Sequence, residues 1–417
     1  MGWIAAVAAL GMAATLSGCG GEAGGGDVTL KLVAADYGST DANTSKRYWD
    51  DLARAYEKKN PDTKVEVTVL SWKDVDREVA KMVKEGNAPD LAQIGAYADF
   101  AKEDKLYKVQ DMVSVTTEAN FLPLLSQAGE VHRVQYGLPF ASSTRLLFYN
   151  EDLFTKAGAK PPTTWAELQE AAQKLKDKGV KYPFALPLGS EESQAETLMW
   201  MLAGGGGYRS KNGDGYAIAS EENAHTFSWL RDNLVGKGLT GPVAPGRLDR
   251  QPAFDAFAKG EVGMLNGHPT LMEQAEKAGI KVGMVPLPGE KGKAKAAMGV
   301  ADWMMAFKQN GHRKEIGKFL DFVYRDDNVL KFSGDYDLLP VTVTASQQMT
   351  DDPAHKELKP FLQELPTSVL YPVGETSWAA VSKSIKANIG KAVESKGDPQ
   401  AVLDRIATDA QNAEAAE

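Results

Sequence analysis

VTLKLVAADYGSTDANTSKRYWDDLARAYEKKNPDTKVEVTVL (28–70) carries two different periods in one stretch. Val28 to Ala35 alternates and is rich in β-formers. From Ser45 to Lys59, Trp49, Leu52, Ala53 and Tyr56 recur at the spacing that lines one face of a helix, and Lys64 to Leu70 alternates again. This is a βαβ opening. A further helix over Asp74 to Glu85 and a short strand over Asp90 to Ile94 continue it, predicting an α/β sheet with helices on its faces.

Further along, Gly137-Leu138-Pro139 gives a rigid entry into RLLFYN (145–150), inside a strand expected over Gln135 to Asn150. That suits a chain crossing from one sheet to another. A second crossing is expected at VPLPG (285–289), where two prolines interrupt a strand, and a third after the helix ending near Arg325. Pro161-Pro162 leads to Thr164, which with Glu167 has the spacing of a capping box.

At 417 residues, 43% hydrophobic and 25% charged, the chain can bury a large core and is longer than one ordinary domain, so two lobes are expected. A net charge of −9, with acids and bases interspersed, argues against a nucleic-acid partner. Ile4 to Leu16 is apolar but short for a membrane span, and small residues and the only cysteine follow it, the pattern of a signal peptide over 1–18. One cysteine excludes an intrachain disulfide and an all-cysteine metal site. Leu16-Ser17-Gly18-Cys19 resembles the bacterial lipobox, which implies a lipidated Cys19 of the palmitate-bearing lipoprotein kind and a membrane anchor. CGGEAGGG (19–26) then reads as a flexible tether.

Several signatures, in order, resemble the extracellular solute-binding proteins typified by maltose-binding protein: NPDTKVEVTVL (60–70), GNAPDLAQIGAYADFAKEDKLYKVQD (86–111) and YGLPFASSTRLLFYNEDLFTKAGAKPPTTWAEL (136–168). GGGGY (204–208), AFAKGEVGMLNGHP (256–269), VPLPG, EIGKFLDFV (315–323) and DLLPV (337–341) follow. The resemblance implies a type II periplasmic-binding-protein-like α/β fold, with two lobes joined by a multi-strand hinge and a ligand cleft between them. It further implies a discontinuous division, 27–139 plus 286–325 in the N-terminal lobe and 140–285 plus 326–417 in the C-terminal lobe. By the same resemblance the chain is the monomeric, extracytoplasmic substrate-binding lipoprotein of an ABC importer. It would hand a sugar, oligosaccharide or sugar derivative to the permease subunits.

A sugar offers hydroxyls at its edge and C–H bonds on its faces, so its site needs planar polar groups and aromatic plates. Trp49 and Trp229 lie on apolar helix faces and Trp165 at a helix start, positions that belong to cores. Trp378, in TSWAAVSKSI (376–385), matches the position of a sugar-stacking Trp in the resembled family, and Trp303, in GVADWMMAF (299–307), is expected to face the cleft with Asp302. Polar candidates at strand ends and loops are Asp36, Tyr37, Gln93, Tyr97, Ser143, Arg145, Gln194, Glu196 and His268; for these a capping or solvated role is the competing reading. Pro269 and Ile94 stand where the resembled protein has aromatic sugar contacts, so its maltodextrin platform is not reproduced.

Enzyme chemistry lacks a template: GxSxG, HExxH and GxxxxGK[ST] are absent, and the five histidines show no metal-ligand spacing. Neighbouring acids such as Glu191-Glu192 read as solvated turns, which leaves a glycosidase a remote alternative. Gly204 to Gly207 ends an apolar helix instead of joining a strand to one, so no nucleotide site is expected. Neither cofactor nor metal is called for. Arg145 and His268 favour an anion and Asp36, Asp302 and Glu196 a polyol or amine, leaving a polyamine, peptide or organic anion as the alternative solute.

Overall fold

The computed structural model describes residues 27–38, 42–210, 212–213 and 215–416. The expected signal segment (1–18), Cys19 and the glycine tether (19–26) lie outside the described residues.

Eleven strands are described: β1 (Val28–Ala35), β2 (Thr63–Leu70), β3 (Leu91–Ile94), β4 (Glu130–Val131), β5 (Val134–Gln135), β6 (Leu138–Thr144), β7 (Leu146–Asn150), β8 (Tyr182–Phe184), β9 (Val262–Gly267), β10 (Val282–Val285) and β11 (Gly299–Ala306). They make a five-stranded sheet ordered β2-β1-β3-β11-β6, a four-stranded sheet ordered β10-β7-β9-β8, and the small β4-β5 hairpin. In the first sheet β1 runs parallel to β2 and β3, and β11 is antiparallel to β3 and β6.

The opening segment folds as its periods predict. Helix Lys46–Glu57 buries Trp49, Leu52, Ala53 and Tyr56, with Tyr48 added, and Trp49 stacks on Phe140 at 5.1 Å between centroids. In the second lobe, helix Trp165–Asp177 carries the complete Thr164–Glu167 capping box and buries Trp165, Leu168, Ala171, Ala172 and Leu175.

The strand expected over 135–150 is two strands in two different sheets, separated by Arg145 alone. The crossing thus falls beyond Gly137-Leu138-Pro139. Pro139 pairs with Trp303 inside β6, and an end strand of a sheet tolerates a residue lacking an N–H. The second crossing lies between β10 and β11, as VPLPG suggests.

Residues 140–144 therefore sit in the first sheet, apart from the expected division at 139. Helix Asp326–Asp335, expected with the second lobe, places Phe332 4.6 Å from Phe140 and 4.8 Å from Tyr48, and Leu339 bridges to Ser142. The apolar face of this helix meets the aromatic cluster above the first sheet, which holds the segment there. The chain joins the second core with helix Trp378–Asn388, through Val381 and Ile385.

Candidate ligand site between the two sheets

Because β1, β2 and β3 are parallel and β11 antiparallel to them, the ends of β1, β2, β3 and β6 and the start of β11 share one margin of the first sheet. Backbone groups unpaired at strand ends and side chains on short loops make such a margin the usual ligand crevice of an α/β sheet. Facing it are the end of β9 and the start of the Trp378 helix, both from the second lobe.

The groove has two chambers. One, of about 880 Å³, is bounded by Ile94, Tyr97, Val300, Tyr371 and Trp378; the other, of about 410 Å³, by Trp72, Ser143, Arg145, Glu192, Arg250 and His268. Asp302 borders both. Each volume falls in the range of small-molecule sites.

Asp302 is held from behind. The Tyr37 hydroxyl donates to its Oδ2 at 2.8 Å, and Gln93 Nε2 donates to that hydroxyl at 2.8 Å. Gln93 is itself fixed, its Oε1 accepting from the Ala35 amide at 3.1 Å. Burial pushes the Asp302 carboxyl up to about 7; repulsion from Asp76 adds to this, and the Tyr37 bond and the charge of Arg145 oppose it.

At the crossing, Arg145 donates to Ser143 Oγ at 3.0 Å and to Glu192 Oε1 at 3.3 Å, its side chain only 6% exposed. Arg250 pairs with Glu191 at 2.8 Å and with Glu192, and lies over the Phe254 ring. His268 Nε2 is 3.4 Å from Arg250; burial, reinforced by the charges of Arg145 and Arg250, pulls the imidazole well below its usual range, so it is neutral near pH 7. The two glutamates are thus committed to arginines and are not an idle solvated turn.

Trp378 forms an aromatic wall with Tyr371, stacked at 5.2 Å and 26°, and with Tyr208, tilted at 5.2 Å. A plate of this kind can meet the C–H face of a ring or a cation.

Of the residues singled out from sequence, Ser143, Arg145, His268, Asp302 and Trp378 line the groove. Trp303 does not. It is fully buried, packed edge-on against Tyr97 in the same cluster as Ile94 and Met305, and the pairing of β11 with β6 shifts register between Asp302 and Trp303, where a bulge re-aims side chains. Tyr97 borders the groove yet is buried edge-on against Trp303, its hydroxyl donating to the Ala128 carbonyl. Gln93 and Tyr37 act through Asp302. Asp36 ties its own loop: burial pushes its carboxyl up, but bonds from Ser45, Thr44 and Gly38 outweigh this and leave it below the usual carboxylate range.

Gln194 accepts from the Tyr208 hydroxyl through its main-chain carbonyl at 2.6 Å. Glu196 is buried under the groove, accepting from Trp200 Nε1 at 2.7 Å and Asn266 Nδ2 at 2.9 Å; burial pushes its carboxyl up to about 8. Sequence reading missed Trp72, Glu192, Arg250 and Tyr371. Trp72 had a usable signal: it follows β2 as Asp36 and Tyr37 follow β1, and its ring meets Tyr37 edge-on at 5.3 Å.

The sequence model of the family described as bacterial extracellular solute-binding protein matches residues 41–329. The chain belongs to this family. Among curated relatives, a binding protein of Brucella abortus is 27% identical over 380 residues, 90% of each chain. The sn-glycerol-3-phosphate-binding periplasmic protein of Shigella dysenteriae is 28% identical over 352 residues, 76% of this chain and 78% of that one. The crystal structure of the cyclic α-maltosyl-1,6-maltose binding protein from Arthrobacter globiformis shares the fold with a TM-score of 0.79 at 18% identity, covering 94% of this chain and 100% of that chain. This is the two-lobed α/β architecture expected from sequence. The extracellular solute-binding family comprises binding proteins and not enzymes, and membership places the protein outside the cytoplasm. No helix among the described residues is long and apolar enough to cross a membrane.

Proposed function

We propose that the protein captures a saccharide or sugar derivative between its lobes and delivers it, unaltered, to the permease of an ABC importer, acting as a monomer anchored by a lipidated Cys19. The observation that carries this reading is the groove itself. Its walls come from two sheets whose first connection is the single residue Arg145, with Trp378 and Tyr371 on one side and the Tyr37–Asp302 pair on the other. The aromatic wall suits a ring face and the carboxylate suits hydroxyls. Support also comes from solved relatives of the same fold whose names record maltose-type and other sugars.

The lobes divide, in this reading, at Arg145 and between Val285 and Gly299, and the segment from Asp326 to Leu339 moves with the first lobe. A ligand that touches both walls gains contacts only when they approach, so it shifts the population toward closure by the difference in contact energy. Titration calorimetry against mono- and oligosaccharides, with small-angle scattering on the same samples, tests this. Binding with a fall in radius of gyration is expected; no binding across a broad sugar panel would sink the saccharide reading. Membrane fractionation of Cys19→Ala tests the anchor, with release into the soluble fraction expected.

A further inference from the structure

We infer that the preferred ligand is a saccharide carrying a protonated amine, whose ammonium sits between Asp302 and Asp76 while its ring lies against Trp378. The inference rests on the saccharide reading above and narrows its substrate class.

The groove is acidic in a particular way. Eight carboxylate residues border its two chambers against four lysines and arginines. The basic side chains are not available at the centre. Arg145 and Arg250 are already engaged by Glu191 and Glu192, and Lys84 and Lys105 are exposed at the rim. His268 is neutral. A phosphate, such as the ligand in the name of the Shigella relative, would have to displace those glutamates and face Asp302.

Asp302 and Asp76 are the opposite case. Both border the larger chamber, neither forms an ion pair among the described residues, and they are close enough to repel one another. Asp302 receives one hydrogen bond, at Oδ2 from Tyr37, and Asp76 one at Oδ1 from the Gly95 amide. Each carboxylate retains acceptor capacity. Two like charges at a partly buried site are unfavourable until a cation joins them, and an ammonium supplies both the charge and the donors. The stacked Tyr371–Trp378 wall borders the same chamber, and its ring faces carry the negative potential that favours a cationic ligand. The favoured orientation of Asp302 does not depend on ligand, because Gln93 and Tyr37 fix it from the core side.

Matched sugar sets separate charge from shape. Calorimetry would compare cellobiose, the β-1,4-linked glucosamine disaccharide and its N-acetylated form, with the corresponding gluco-, galacto- and manno-configured monosaccharides, at low ionic strength and near pH 7. In at least one configuration the amine is expected to bind tenfold or more tighter than both neutral partners, with an advantage that shrinks as salt is raised. Asp302→Asn and, separately, Asp76→Asn at the groove edge should cut that advantage to about threefold or less, the amines losing more affinity than their neutral partners. Thermal denaturation of each variant reports that it is folded. Neutral sugars binding as tightly as the amines would overturn the inference and leave saccharide capture intact. So would an amine advantage that survives both substitutions. Failure of every sugar, charged or neutral, would overturn both readings.

Discussion

The Tyr37 hydroxyl donates to Asp302 Oδ2 at 2.8 Å across 265 positions of sequence, joining the loop after the first strand to the last strand of the same sheet. Gln93 completes the relay from the middle strand. Three segments that are remote in sequence thus hold one carboxylate at the groove, and none of the three could do so alone.

Tyr37→Phe keeps the ring against Trp72 and Phe332 but removes the donor to Asp302 and the acceptor for Gln93. Stability should fall by about 1 to 2 kcal/mol, the usual cost of leaving buried partners unsatisfied, and ligand affinity should fall because Asp302 is less firmly placed. Urea denaturation and calorimetry check the two parts. A variant as stable and as tight-binding as the parent would show that the relay is incidental.

Trp378 and Trp303 should separate cleanly. Trp378→Ala removes the middle of the Tyr208–Trp378–Tyr371 wall and should weaken saccharide binding by about 1 to 3 kcal/mol. Trp303→Ala empties a fully buried site and should cost about 3 to 5 kcal/mol of stability, with little change in the affinity of the protein that remains folded. Calorimetry below the melting temperature of both variants distinguishes them; a reversed pattern would contradict the placement of the two rings.

Glu196 predicts a pH dependence. Burial disfavours the charged form and pushes its carboxyl up to about 8 in the folded protein, from an ordinary value of 4.5. Between these two values the folded protein holds a proton that the unfolded chain has released, so stability declines as pH rises through the window and levels off above about 8. Glu196→Gln cannot ionise and should be insensitive to this part. Its stability relative to the parent should improve between pH 5 and 8.5 by on the order of 3 kcal/mol, measured by chemical denaturation. Parallel curves would refute the assignment.

Arg145 carries the charge at the crossing. Arg145→Gln leaves Glu192 with Arg250 as its remaining ion-pair partner and removes the positive field that opposes the rise of Asp302. Stability near pH 7 should fall by about 2 kcal/mol, toward the low end for a pair whose acidic partner is partly exposed. Asp302 should titrate above its parent value of about 7, which carbon-13 NMR of the carboxyl reports. An unshifted titration would mean that the arginine does not act on Asp302.

Much of the fold was legible because period is a local property. The run from Val28 to Leu70 announces strand, helix and strand through spacing alone, and Thr164 with Glu167 marks a helix start through two side chains three residues apart. The lobe division was less legible. RLLFYN reads as a strand whichever sheet it joins, and only pairing across the two sheets puts the turnover at Arg145. The segment after Arg325 reads only as a crossing; that it folds as a helix whose Phe332 meets Trp49 and Phe140 depends on what lies opposite it.

The site divides in the same way. Asp302 and Trp303 are neighbours of equal chemical promise, and nothing in the sequence separates them. Asp302 reaches the groove and Trp303 packs on Tyr97 because of how β11 pairs with β3 and β6, across a register shift that falls between the two residues. Composition and motif order determined a two-lobed α/β chain of the extracellular solute-binding family. The pairing of Tyr37 with Asp302, the commitment of Glu191 and Glu192 to arginines and the burial of Trp303 were decided by tertiary structure, because hydrogen bonds and ion pairs form between groups that folding brings within about 3 Å, whatever their separation along the chain.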